Sequence, residues 1–323
     1  MNEHSVSSVV QLLQQRLRAS IVGRDDVIDL VIIALLADGH VLLEDYPGSG
    51  KTTLAKSLGE GIVSDRKNWP PMRRVQFTPD LLPSDVTGTT IFDPEARSFQ
   101  FRPGPIFSHI LLADEINRTS PKVQAALLEA MAEKQATIDN KTYPLDHLFF
   151  VIATQNPLDL AGTYPLPTAQ LDRFLFKIRM VHIPKTSELE LLLNFDTVKQ
   201  GAGADLPHVK RRELLEARAQ IQAQVTISKA VKEALVDFAE ETRESNMSLQ
   251  GVSTRSLVLA LSALKVAAAL KGRDYVTGAD LTYLAPYLFS HRLMMAPGSG
   301  SPEELVASCL KRPIEQLARK SVR

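Results

Sequence analysis

The chain has 323 residues, 44% of them hydrophobic, which is enough to bury a core in one large domain or two modest ones. Lysine plus arginine and aspartate plus glutamate each total 37, so the net charge of zero provides no global basic field for nucleic-acid binding. Cys309 is the only cysteine, which excludes an internal disulfide and a cysteine-cluster metal site, and we expect it to be a buried apolar side chain.

The N-terminal stretch, residues 1–20, carries acidic and polar residues where a signal peptide would have a basic start and an apolar core. The longest apolar stretch, near residues 31–37, is far shorter than a membrane span. We therefore expect a cytoplasmic protein without a membrane span.

Helical and strand patterns alternate through the first part of the chain. An amphipathic helix is predicted over residues 6–18 and a buried helix over 24–37. Strand candidates follow at residues 41–43, 73–77, 109–113, 148–153 and 175–181. One further clear helix is predicted at residues 121–133. This alternation predicts an α/β fold with a parallel sheet sandwiched by helices, and it places a nucleotide at the carboxyl ends of the strands.

Two segments interrupt this pattern. Residues 89–104 alternate apolar and polar positions around a Pro-Glu-Ala-Arg turn, and residues 135–145 carry an Asp-Asn pair between two strand-like runs, so both predict inserted hairpins. After Pro184, helical patterns dominate. We expect a nucleotide-binding domain over residues 1–184 and a smaller, all-helical domain over residues 185–323.

The stretch VLLEDYPGSGKTT, residues 41–53, predicts a phosphate-binding loop between the first strand and a helix that starts at Thr52. Glycines let the backbone approach the phosphates, and the N–H groups at the helix start point at the anion. Lys51 is expected to reach the β- and γ-phosphates, and the Thr52 hydroxyl to ligate Mg²⁺. The predicted nucleotide-binding residues of this loop are Pro47, Gly48, Ser49, Gly50, Lys51, Thr52 and Thr53.

This loop departs from the usual pattern at one position. Asp45 stands where G-x-x-x-x-G-K-[ST] has its first glycine. We expect Asp45 to lie at the strand end rather than against the phosphates, so that binding survives. An ordinary glycine-rich turn is the alternative interpretation of the loop.

The third strand candidate ends in a pair of carboxylates, Asp114 and Glu115. The sequence ILLADE has the pattern of a Walker B element, in which Asp114 contributes to nucleotide binding by holding Mg²⁺ and Glu115 polarises the attacking water. The alternative is a solvated acidic pair at a strand end.

Three further polar residues are candidates for catalysis. Asn156 follows the fourth strand, where an amide is placed to orient water against the γ-phosphate, although Asn-Pro is also a turn signal. Arg173 is either a surface ion-pair residue or an arginine finger that reaches a neighbouring subunit's nucleotide. Arg255 lies in the first turn of a helix capped by Ser253, where the helix dipole disfavours a cation, so we expect an anionic partner such as the γ-phosphate.

Together these residues resemble the MoxR family of AAA+ ATPases, and the resemblance covers residues 21–281. It is carried by LLADEINRTSPKVQAALLEAMAE, VQFTPDLLPSDVTGT, ATQNP, LPTAQLDRFLFKI, GVSTRSL and GRDYVTGADL. The resemblance implies a P-loop AAA+ module with a C-terminal lid domain, in which Asn156 is the sensor 1 residue, Arg173 the arginine finger and Arg255 the sensor 2 residue. It also implies that the two hairpins are the helix 2 insert and the pre-sensor 1 hairpin, which face the pore of a ring.

The resemblance further implies an ATP hydrolase, with ATP and Mg²⁺ bound, that assembles as a homo-oligomer in a hexameric ring. Such a ring acts as a chaperone-like remodeller of a protein client, often with a partner that bears a von Willebrand factor type A domain. The alternatives are a small-molecule phosphotransferase, a nucleotide-gated scaffold with little turnover, and a related motor that acts on DNA or inserts metal into a porphyrin.

Two surface features remain open at this point. The basic triplet at residues 210–212 is a possible nucleic-acid contact, although three residues more often form a solvated face. The hairpin aromatics Phe99, Phe101 and Tyr143 either pack within their own domain or contact a client.

Overall fold

The computed structural model describes residues 6–44, 49–67, 69–157, 162–194 and 206–321. Its helices are α1 Val6–Ser20, α2 Asp25–Leu36, α3 Lys51–Glu60, α4 Pro83–Thr87, α5 Pro121–Glu133, α6 Thr168–Leu171, α7 Lys185–Leu193, α8 Arg211–Gln224, α9 Lys229–Glu244, α10 Thr254–Leu270, α11 Gly278–Phe289 and α12 Pro302–Ser321. Its strands are β1 Val41–Glu44, β2 Ile62–Val63, β3 Met72–Gln76, β4 Gly88–Asp93, β5 Ser98–Pro103, β6 Ile110–Asp114, β7 Gln135–Ile138, β8 Lys141–Pro144, β9 Phe150–Gln155, β10 Phe176–Arg179, β11 Val209–Lys210, β12 Ser248–Gln250 and β13 Met294–Met295.

A five-stranded parallel sheet forms the centre of the fold, in the order β10-β1-β9-β6-β3. All five predicted strands are present in it, with ends that differ by one or a few residues from the predicted ones. Because every strand runs in the same direction, all the carboxyl ends lie along one edge of the sheet. The prediction of a parallel α/β sheet flanked by helices is therefore confirmed.

Alternate residues of each strand enter two different hydrophobic cores. In β6, Ile110 and Leu112 pack with α1, α2 and the C-terminal helices, whereas Leu111 and Ala113 pack with α5 on the other face. This alternation follows from the two-residue period of a strand, and both faces are apolar because helices cover both.

The C-terminal helices share the first of these two cores. Buried residues of α8 to α12 form one contiguous cluster with α1, α2 and the sheet. The predicted burial of Cys309 is confirmed, since its side chain belongs to this cluster. Two pairs of short strands accompany the helices, β11 with β2 and β12 with β13. The division at Pro184 stays a prediction, and α8 contacts both α1 and α10.

Both predicted hairpins are present as antiparallel strand pairs. In the first, β4 pairs with β5, and in the second β7 pairs with β8 around Asp139 and Asn140. Both turn residues have positive φ angles, which suits a tight two-residue turn with the twist of the flanking strands. The rings of Phe101 and Tyr143 stack with centroids 4.0 Å apart, so the two hairpins contact each other.

A buried carboxylate, Asp146, connects the second hairpin to α8. It lies two residues after β8, and its side chain accepts hydrogen bonds from Arg66 at 2.7 Å and from Arg211 of α8 at 2.8 Å. Burial raises the pKa of the Asp146 carboxyl, but the His109 ring 3.6 Å away and hydrogen bonds from Arg211, the Leu148 N–H and Arg66 outweigh this and hold the pKa well below its usual value. Asp146 is therefore charged at neutral pH, and it binds α8 to the α/β part.

No helix among the described residues has both the length and the apolar character that crossing a membrane requires.

We predict that Asp146→Asn lowers the free energy of unfolding by about 3 kcal/mol, because it leaves buried donors without their charged acceptor. Asp65→Asn is the matched control, since Asp65 also contacts Arg211, at 3.1 Å, but is half exposed. The control should cost less than about 1 kcal/mol. Urea denaturation at pH 7 measures both values, and equal costs would contradict a special role for the buried carboxylate.

Candidate active site

The last residues of β1, β3, β6 and β9 are polar and lie together at the carboxyl edge of the sheet. Strand register places Gln76 opposite Asp114, and Glu44 opposite Gln155. The carboxyl ends of these strands are therefore neighbours in space, and the binding of a nucleotide at this edge stays a prediction.

The described part of the phosphate loop leads directly into helix α3. Gly50 precedes the helix with a φ of +90°, a conformation that favours glycine, and Lys51 is the first helical residue. The helix begins one residue before the predicted start. Thr52 and Thr53 are exposed, and Ser49 and Lys51 are half-buried. Pro47 and Gly48, together with Asp45, lie outside the described residues.

The carboxylate of Asp114 is the most heavily contacted group at this edge. Its Oδ1 accepts a hydrogen bond from the Thr154 hydroxyl at 2.7 Å and lies 3.7 Å from the Lys51 ammonium. Its Oδ2 accepts a hydrogen bond from the Arg74 guanidinium at 2.6 Å. Burial raises the pKa of the Asp114 carboxyl, but the contacts from Thr154, Arg74 and Lys51 outweigh it, so the pKa lies below its usual value. Asp114 is thus an anion at neutral pH.

Glu115 has a left-handed backbone, with φ of 59° and ψ of 49°, at the turn that follows β6. Its N–H donates to the Thr154 hydroxyl at 2.8 Å, so one threonine positions both acidic residues. Its Oε2 accepts a hydrogen bond from the Gln76 amide at 2.7 Å and lies 3.3 Å from Arg118. The Glu115 side chain is half-buried and ends at the same sheet edge as Asp114.

Asn156 immediately follows β9, as predicted, and is half-buried. Its carbonyl oxygen accepts a hydrogen bond from Asn117 at 3.5 Å. The neighbouring Gln155 donates to Glu44 at 2.6 Å, and Lys177 of β10 lies 2.7 Å from the same carboxylate. These contacts connect three adjacent strands, β9, β1 and β10, next to Asn156.

Asp172 connects the segment before β10 to two arginines of the helical part. Its carboxylate accepts a hydrogen bond from the buried Arg292 at 2.8 Å and lies 3.6 Å from Arg255. The Ser253 cap is confirmed, since its hydroxyl accepts from the Ser256 N–H. The anionic partner expected for Arg255 is thus Asp172 in this structure, and contact with a phosphate stays a prediction.

Arg173 follows Asp172 in the chain and is half-buried. Within the part of the chain that the structure describes, its side chain takes part in no ion pair, so the surface salt bridge considered from the sequence is not observed. The structure does not bring Arg173 to the Asp114 and Glu115 cluster.

Sequence reasoning missed four of the side chains in this cluster. Arg74, Gln76 and Arg118 were not predicted, and Thr154 was named only as part of the TQNP block. The position of Gln76 near the end of a predicted strand, with Arg74 two residues earlier on the same face, was the available indication, because every strand end lies at the same edge.

Two family models match the chain: the ATPase family associated with various cellular activities (AAA) at residues 40–176, and the AAA lid domain at residues 240–308. The chain is 33% identical over 316 residues to Chaperone MoxR1 of Mycobacterium tuberculosis, covering 94% of this chain and 80% of that protein. The chain belongs to the MoxR family of AAA+ ATPases.

Two further similar proteins share nearly the whole length of the chain. It is 43% identical over 304 residues to a Bacillus subtilis protein named "Uncharacterized protein YeaC", covering 92% of each. The crystal structure of a "putative ATPase" from Cytophaga hutchinsonii superposes with a TM-score of 0.85 at 35% identity, covering 95% of this chain and 94% of that one. The architecture of a MoxR protein, an AAA+ domain followed by a lid domain, therefore applies to this chain.

Proposed function

We propose that this MoxR-family chain binds ATP with Mg²⁺, hydrolyses it, and couples hydrolysis to chaperone-like remodelling of a protein client. The observation that carries the proposal is the meeting of Lys51, Asp114 and Glu115 at one sheet edge, with Lys51 3.7 Å from Asp114. A phosphate-binding lysine, a metal-binding carboxylate and a second carboxylate for water are the parts that a P-loop hydrolase needs.

The residues at the edge suit a phosphate anion with a hard metal ion. The N-terminus of α3 supplies N–H groups and the positive end of a helix dipole, and Lys51 adds a full charge. The Thr52 hydroxyl and the Asp114 carboxylate are oxygen donors, which Mg²⁺ prefers. Bound Mg²⁺ neutralises charge on the phosphates, and the proposed ligands from the protein are Thr52 and Asp114.

Glu115 is the proposed general base for hydrolysis. A carboxylate oxygen can accept the proton of an attacking water, whereas an amide in its place could not. In this structure Oε2 of Glu115 is engaged by Gln76 and Arg118, which orient the carboxylate. Asn156, at the end of β9, is the proposed residue that orients the water.

The proposed assembly is a homo-oligomeric, hexameric ring. AAA+ proteins of this kind complete their sites between subunits, and Arg173 is proposed as the arginine finger for the neighbouring nucleotide. Its neighbour Asp172 contacts Arg255, so a single segment carries the proposed finger and reaches the proposed sensor 2 residue. A phosphate that attracts Arg255 away from Asp172 would change how the lid domain contacts this segment.

The client and partner proposals rest on relatives and on the resemblance. A relative at 33% identity is named a chaperone, which supports the remodelling of a protein client. A partner with a von Willebrand factor type A domain and a cytoplasmic location complete the proposal; the single cysteine, which allows no internal disulfide, is consistent with that location.

The basic triplet gives no support to a DNA-acting motor. Arg211 contacts Asp146 and Asp65, and Arg212 contacts Glu216 at 2.6 Å, so two of the three charges are neutralised within the chain. A nucleic-acid site would need cations that are available to phosphates.

The Glu115→Gln variant tests hydrolysis directly. We predict that it lowers the rate of phosphate release by about 10² to 10⁴, because the amide cannot accept the water's proton. Binding of a fluorescent ATP analogue should change little, since the base is not a phosphate ligand. Glu129→Gln, at an exposed position of α5, is the control and should match the wild type in both measurements.

Two results would count against this proposal. A Glu115→Gln variant that releases phosphate as fast as the wild type would favour a nucleotide-gated scaffold. Radiolabelled γ-phosphate that appears on another molecule, instead of as free phosphate, would identify a phosphotransferase.

We predict different roles for the exposed and the packed aromatic side chains of the hairpins. The Phe99 side chain is 74% exposed, whereas Phe101 stacks on Tyr143 and contacts Phe107 with ring centroids 5.3 Å apart. Phe99→Ala should therefore spare basal ATPase activity and thermal stability but abolish stimulation by a client. Phe101→Ala should lower thermal stability, and a Phe99→Ala variant with normal client stimulation would exclude that side chain from client contact.

A further inference from the structure

Arg74 is the cation in closest contact with Asp114. It extends from β3, pairs with Oδ2 of Asp114 at 2.6 Å, and also donates a hydrogen bond to Gln76 on the same strand. The Arg74 side chain is 44% exposed, whereas that of Asp114 is 6% exposed. Arg74 belongs neither to the phosphate loop nor to the acidic pair of Asp114 and Glu115, so these sequence motifs assign it no role.

We propose that Arg74 is a positioning residue that competes with Mg²⁺ for the Asp114 carboxylate and thereby sets how strongly nucleotide binding depends on Mg²⁺. The inference rests on the proposed function, because it takes Asp114 to be the carboxylate that serves the metal ion.

The carboxylate has little capacity for both cations at once. Thr154 and Lys51 approach Oδ1 while Arg74 holds Oδ2, so both oxygens are engaged in this structure. Mg²⁺ demands close oxygen ligands in a near-octahedral arrangement and repels a guanidinium placed against the same carboxylate. Binding of the metal ion therefore favours departure of Arg74.

Departure of Arg74 carries a small solvation cost. A guanidinium that is almost half exposed can turn into water without leaving a buried, unpaired charge, unlike Arg292, which is 4% exposed. Asp114, by contrast, stays buried and needs a cation. The geometry thus allows Mg²⁺ to replace Arg74 at the Asp114 carboxylate, which stays in place.

The competition has opposite effects on binding with and without the metal ion. With Arg74 in place, the Asp114 charge is partly neutralised, so it repels nucleotide phosphates less when no Mg²⁺ is present. The same contact must be broken when Mg²⁺ enters, which weakens metal-assisted binding. Removing Arg74 should therefore weaken binding in the absence of Mg²⁺ and strengthen binding in its presence.

The test measures the affinity of the full-length chain for a fluorescent ADP, once with excess Mg²⁺ and once with EDTA. In Arg74→Ala, the ratio of the Kd with EDTA to the Kd with Mg²⁺ should rise about tenfold over wild type, the size of effect that one neighbouring charge has on a carboxylate's proton affinity. Arg74→Gln, which keeps a hydrogen-bond donor without the charge, should give a similar rise.

Arg73→Ala is the matched control. It removes the same charge from the adjacent, exposed position of β3, whose side chain points to the opposite face of the strand. Arg73→Ala should keep the wild-type ratio of the Kd with EDTA to the Kd with Mg²⁺. If this ratio rises as much in Arg73→Ala as in Arg74→Ala, the effect is one of general surface charge and the proposal is overturned.

The remaining outcomes are distinguishable. If Arg74→Ala weakens both affinities by the same factor, Arg74 acts on the nucleotide itself or on folding, and the competition is refuted. If the wild type binds the nucleotide equally with Mg²⁺ and with EDTA, or not at all, the proposed function fails and this inference fails with it. Thermal unfolding of each variant shows whether a change in affinity accompanies a change in folding.

Discussion

The organisation of the site depends on one buried anion, the carboxylate of Asp114. Its negative charge at the carboxyl edge of the sheet attracts Lys51 from the phosphate loop, Thr154 from β9 and Arg74 from β3. A single carboxylate therefore contacts three separate segments, and these contacts hold its pKa below the usual value despite burial. The parallel strand order makes this possible, since it brings the ends of β3, β6 and β9 side by side.

Two further carboxylates connect the α/β part to the helical part of the chain. Asp172 contacts Arg255 and the buried Arg292, while Asp146 contacts Arg211 at the start of α8. The helical part also shares a hydrophobic core with α1, α2 and one face of the sheet. Any change at the nucleotide that reaches Arg255 therefore acts on a lid that is packed against the α/β part, and the segment carrying Arg173 lies at that contact.

The strands, the main helices, both hairpins and the position of the acidic pair could be predicted because each depends on local periodicity or on a short motif. Arg74 and Gln76 could not, since their roles arise only when β3 pairs with β6, which brings Arg74 to Asp114, 40 positions away, and Gln76 to Glu115, 39 positions away. The sequence predicted an anionic partner for Arg255 but not which anion, because the helix-dipole argument does not distinguish a carboxylate from a phosphate. Local sequence likewise could not separate Phe99 from Phe101, whose burial depends on contact between two hairpins.

We propose that an ATP-hydrolysing site is completed between copies of this chain. The most direct measurement is the specific ATPase rate as a function of protein concentration with Mg²⁺, for wild type and Arg173→Ala. Specific activity of the wild type should rise with concentration, whereas that of the variant should stay flat, about 10³ or more below the fully assembled wild type. A constant specific activity, unchanged by loss of Arg173, would show that each chain works alone and would contradict the shared site.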